Sequence, residues 1–107
     1  MKARHTKSAT PKTVFIRLAE NGVAPDPVYA RKYDQIIWQS IDGDIEVVFP
    51  GQHPFDPAYG NSCVVKANSQ TPPYPITASR GSYKYNIVTS RGTFDQGIVV
   101  GPVRKGL

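Results

Sequence analysis

Gly81-Ser82-Tyr83-Lys84-Tyr85-Asn86-Ile87-Val88 and, shortly after it, Thr93-Phe94-Asp95-Gln96-Gly97-Ile98-Val99-Val100-Gly101-Pro102 form the stretch whose reading decides the fold. In the first segment Tyr83, Tyr85 and Ile87 recur at every second position, with Ser82, Lys84 and Asn86 between them. A period of two predicts a strand with one buried face, lined here by tyrosines. Asp95-Gln96-Gly97 reads as a turn, and Ile98-Val99-Val100, closed by Gly101-Pro102, as a short buried strand. Ser90 to Phe94 are then expected in a loop between the two strands, where function often resides.

The same alternation appears upstream. In Thr13-Val14-Phe15-Ile16-Arg17-Leu18, Val14, Ile16 and Leu18 share a face, and Asn21-Gly22 supplies a tight turn. Pro25 and Pro27 restrict Val28-Tyr29-Ala30 to a short edge strand, because proline lacks the donor a central strand needs. Gln35 to Ile41 is apolar enough for a central strand with Trp38 as core anchor. Asp42-Gly43 predicts a type I′ hairpin into Ile45-Glu46-Val47-Val48-Phe49, with Ile45, Val47 and Phe49 inward. Pro50 to Pro57 is a proline-stiffened loop, Ser62 to Ala67 a strand, Thr71 to Pro75 a second stiff loop, and Ile76-Thr77-Ala78 a last short strand.

Ten prolines, nine glycines and 39% hydrophobic residues in 107 suit many short strands in one domain. The expected fold is all-β, a two-sheet Greek-key β-sandwich of about seven or eight strands over residues 13–103. Residues 1–12 are expected to be a flexible basic arm and 104–107 a short basic tail. Lys2, Arg4, Lys7, Lys12, Arg104 and Lys105 account for more than the whole net charge of +5, since the body keeps seven bases against eight acids. Cys63 is the single cysteine, so no intramolecular disulfide or CxxC motif exists. The first twelve residues lack an apolar core of a signal peptide, and no apolar run is long enough to span a membrane. As the sequence stands, the expectation is a cytoplasmic protein without membrane insertion, or a periplasmic or secreted one if a leader precedes it.

Gly-x-Tyr-x-Tyr, a short connection and Gly-Ile-Val-Val at the end of a β-rich domain resemble the C-terminal half of a cupredoxin, and the Trp38 strand with its returning strand resembles that family too. The resemblance covers about residues 13–102 and implies a copper site with Cys, His and Met on the last loop and a further His near the start of the returning strand. By position the Cys slot falls at or next to Ile87, the His slot near Ser90 and the Met slot close to Asp95; Asp44, Ile45 and Glu46 stand at the remaining His. None supplies the thiolate, imidazoles and thioether of a blue-copper centre. The family is usually exported, another departure.

These readings predict a non-enzymatic, cofactor-free, cupredoxin-like module that binds a protein or small ligand through loops at one end of the sandwich. His53, Phe55, Arg91 and Phe94 are the candidate contact residues, with Phe55 and Phe94 alternatively plugging the core. A second reading is a copper-binding or electron-transfer protein with an unconventional site at His53 and Cys63, since imidazole and thiolate both suit copper or zinc. A third is a nucleic-acid-binding accessory domain acting through the basic arm, although its bases have no aromatic residues interleaved. A catalytic Cys63 would have only His53 as base, and no phosphate-cradling glycine motif, zinc spacing or internal repeat occurs.

Overall fold

Alternating inward and outward side chains build both layers of the protein. The computed structural model describes residues 11–19, 22–24 and 27–101. Nine strands run in chain order: β1 (Thr13–Ala19), β2 (Gly22–Ala24), β3 (Val28–Arg31), β4 (Gln35–Ser40), β5 (Ile45–Val48), β6 (Ser62–Val65), β7 (Tyr74–Pro75), β8 (Gly81–Thr89) and β9 (Gly92–Gly101). One sheet has the order β2-β1-β4-β7 and the other β3-β9-β8-β5-β6. Pairs β1–β4 and β3–β9 are parallel, and the remaining ladders antiparallel. The protein is therefore an all-β sandwich. The expected arm and tail fall largely outside the described residues, as do Asn21 and Pro25.

The period-two readings of the apolar faces hold. Ile16 and Leu18 of β1, Ile36 and Trp38 of β4, Ile45 and Val47 of β5, Tyr85 and Ile87 of β8, and Ile98 and Val100 of β9 are all buried in one core between the sheets. β3 is an edge strand, as its flanking prolines predict. Four local readings change. Tyr74-Pro75, expected within a stiff loop, pairs with Ile36 and Gln35 as β7. Asp42-Gly43 does not close a hairpin, because β4 is already flanked by β1 and β7 and the chain passes instead to the opposite sheet. Gly43, at φ 106°, forms that corner, and the Ser40 hydroxyl donates to its carbonyl. Asp95-Gln96-Gly97 is no turn: those residues lie within β9, paired with Asn86, Tyr85 and Lys84. Nine paired positions of β8 carry the ladder through them, which outweighs local turn preference. Ile76 is buried and forms a single bridge to Phe55 rather than a strand through Ala78.

Asp34 ties the two sheets together where β3 hands over to β4. Its carboxylate, buried, accepts from the Lys12 amide at 3.1 Å and the Arg31 amide at 3.0 Å. The intervening Tyr33 takes a positive φ of 78°, uncommon for a residue with a side chain. Its amide donates to the Ile76 carbonyl, and the Ile76 amide donates to the Asp34 carbonyl. β1, β3, β4 and the segment before β8 are thus joined at one point. Asp34→Ala leaves two part-buried amides without their acceptor, and a loss of about 1–3 kcal/mol in a urea melt is expected; a loss under about 0.5 kcal/mol, the range of an ordinary surface change, would show that the junction holds without it.

Candidate functional site

The family's ligand loop would lie between β8 and β9, and here only Ser90 and Arg91 separate them. Thr89 builds the reversal: its hydroxyl accepts from the Arg91 amide at 3.0 Å and donates to the Gly92 carbonyl at 3.3 Å. Gly92 follows at φ 134°, a conformation that suits glycine. The expected loop is therefore a tight turn, and Thr93 and Phe94 belong to a strand. The three slots point apart: Ile87 is buried in the core, Ser90 sits in the turn, and Asp95 is exposed on β9 opposite Asn86. At the remaining slot Ile45 is buried. The Asp44 carboxylate accepts from the Ala67 amide at 3.0 Å and pairs with Lys66 at 3.4 Å, contacts that hold it below its usual range, the amide bond first.

His53 and Phe55 occupy a different region from Arg91. Trp38 stands edge-on to Phe49, Phe55, Tyr74 and Tyr85, with centroids 5.2 to 6.3 Å away, and this cluster receives Phe55 as a buried plug. Phe55 also bridges to Ile76, which bonds to Asp34, so this loop lies toward the end of the sandwich where β4 begins. The Ser90-Arg91 turn lies where β4 ends, at the opposite pole. The four candidate contacts thus do not converge: Phe94 is half-buried against the core, and Arg91 is exposed in its turn.

Both nitrogens of His53 are committed to its own loop. The Phe55 amide donates to Nδ1 at 3.2 Å, which leaves the proton on Nε2, 3.0 Å from the Tyr59 carbonyl. Cys63 instead faces Tyr74 across a narrow cleft between the edge strands β6 and β7, lined also by Trp38, Val47, Phe49, Phe55, Gly60 and Ser62. At about 10 Å³ it admits one water. Burial pushes the Cys63 thiol up, partly offset by its hydrogen bond with Tyr74. The Tyr74 phenol is pushed up to about 12, by burial first and then by Cys63. Sequence reading missed this pair because nothing local links two edges of opposite sheets. An open polar groove of about 380 Å³, lined by Arg17, Gln39, Ser40, Ile41, Asn68, Ser69 and Gln70, contains none of the residues singled out from the sequence. Among the described residues no three His, Cys, Asp or Glu side chains gather as a metal site.

No family model matches the chain, and no curated protein matches it in sequence. Among solved structures it is similar to auracyanin B, with a TM-score of 0.54 and 14% identity over 87% of this chain and 91% of that one. Auracyanin B is a cupredoxin, so the fold of this chain is cupredoxin-like.

The Cys63–Tyr74 pair yields a pH prediction. Both groups are harder to ionise folded than unfolded, so the unfolded chain loses their protons first. Their contribution to stability is full below their ordinary values of 9.0 and 10.0 and is lost as pH rises toward about 12. Denaturation midpoints should fall through that window, and Cys63→Ser with Tyr74→Phe should flatten the fall. An alkaline profile unchanged by the double substitution would contradict the assignment.

Proposed function

We propose that this chain is a copper-free cupredoxin-like binding module that works through its surface and catalyses no reaction. The observation that carries the reading is the two-residue turn between β8 and β9. In the cupredoxin pattern that connection brings thiolate, imidazole and thioether to one point; here it is too short to do so, and the slots hold Ile87, Ser90 and Asp95 facing in different directions. The alternative pair supports the same reading. A ligand needs an available lone pair, and His53 has its Nδ1 lone pair occupied and its Nε2 proton donated. Cys63 would have to ionise against its burial.

Copper titration of the reduced protein, with either oxidation state, tests this. The expected result is no saturable one-to-one complex, no intense visible absorption, and no amide shifts confined to His53, Cys63 and the Ser90-Arg91 turn. A stoichiometric complex lost in His53→Ala and Cys63→Ser would overturn the reading and make metal binding the function.

A further inference from the structure

The topology sorts the charges of the sandwich toward its two poles. At the pole where β1, β4 and β8 begin and β3 and β9 end, Lys12, Arg31, Lys32 and Arg80 come together. The register fixes this: Thr13 is opposite Gln35, Arg31 opposite Gly101, and Gly81 opposite Val100. Among the described residues none of these four cations forms an ion pair. The nearest acids are Asp34, whose carboxylate is buried on two amides, and the exposed Asp56, beyond Phe55, which accepts from the Ala58 amide. Asp42, Asp44, Glu46 and Asp95 lie toward the other pole, where Arg17, Lys66 and Arg91 also lie, so that end carries both signs.

β1 begins and β9 ends at the basic pole. The segment before Lys12 carries Lys2, Arg4 and Lys7, and the segment after Gly101 carries Arg104 and Lys105. Those segments add five lysines and arginines in sequence to the four placed at this pole. The fold also supplies aromatic residues there that the linear order of the basic arm lacks. Tyr33 is 57% exposed at the turn, with the Lys32 ammonium 5.1 Å from its ring centroid, and Tyr29, 68% exposed, stands two residues before Arg31 on the outer face of β3.

From this convergence we propose that the Lys12–Arg31–Lys32–Tyr33 pole binds single-stranded nucleic acid. Cations track the phosphates, and exposed tyrosine rings offer faces on which unpaired bases stack. Anionic lipid would attract the same cations by charge alone, whereas stacking on an exposed ring is particular to unpaired bases. The inference rests on the reading of the chain as a binding module and names the partner class.

Fluorescence anisotropy with labelled single-stranded DNA and RNA oligonucleotides of about 15 nucleotides, a length set by typical site sizes, tests it on the full chain with chelator present. Arg31→Gln with Lys32→Gln should weaken binding about tenfold and reduce the salt slope by about 1.4, the value for two lost phosphate contacts on a single strand. Tyr33→Asn, which keeps a residue tolerant of positive φ, should cost about tenfold through lost stacking. Arg17→Gln with Arg91→Gln removes the same charge elsewhere and should change binding less than twofold. Binding of DNA alone or RNA alone supports the proposal and identifies the source. No binding, equal losses from both double variants, equal affinity for duplex of the same sequence, or preference for vesicles rich in phosphatidylserine would overturn it. Because chelator is present, these outcomes are independent of the copper titration: a positive metal result would remove the copper-free reading and leave the oligonucleotide result standing.

Discussion

Each sheet has a face that must leave water, and the contact through which the two faces meet is the ring of Trp38. It projects from the middle of β4 into edge-on contact with Tyr85 of β8, Tyr74 of β7, and Phe49 and Phe55 from the connection after β5. One side chain therefore touches both layers and the loop that closes one side of the sandwich. Edge-to-face pairs at these separations each add about 0.5–1.5 kcal/mol beyond area burial, so the cluster orients its members as well as holding them. The amide and carbonyl of Trp38 are also engaged, by the Thr71 hydroxyl and amide, which lace the segment before β7 onto β4.

That packing dictates what becomes of the surface. With β1, β4 and β7 filling one layer, the chain after Ser40 has to cross, and the corner at Gly43 places β5 in the other layer. β8 and β9 then run side by side for nine paired positions down to Gly92. A ladder of that length leaves Ser90 and Arg91 as the connection, which removes the room a metal-binding loop would occupy. The same topology brings the start of β1 and the end of β9 to the pole opposite that turn. Chemistry recedes from one end of the sandwich, and charge gathers at the other.

The core was legible in the sequence wherever one face alternates: Val14-Ile16-Leu18, Ile45-Val47-Phe49 and Tyr83-Tyr85-Ile87 declare their inward sides without any knowledge of partners. Trp38 and Phe55 were legible as core residues for the same reason, large apolar surface. The misreadings share one cause. Asp42-Gly43 and Asp95-Gln96-Gly97 carry turn chemistry, but whether such a segment closes a hairpin, turns a corner between sheets or stays in a ladder depends on neighbours far along the chain. The expected convergence of the candidate loops was illegible at that level too, since His53 and Arg91 look like two loops at one end until the register of β8 against β9 and the tie from Ile76 to Asp34 separate them. The Cys63–Tyr74 cleft and the basic pole are products of tertiary contact, with no local pattern to announce them.

The account depends on β9 being strand through residues 93–97, where a ligand loop would otherwise lie. Cross-strand proton contacts and amide exchange measured by NMR across Asn86–Asp95, Tyr85–Gln96 and Lys84–Gly97 test this most directly. In-register contacts at these pairs, with slow exchange of the ladder amides, are the predicted result. Fast exchange from Ser90 through Gly97 without cross-strand contacts would reveal a long loop, and with it the space for a site that the account says is closed.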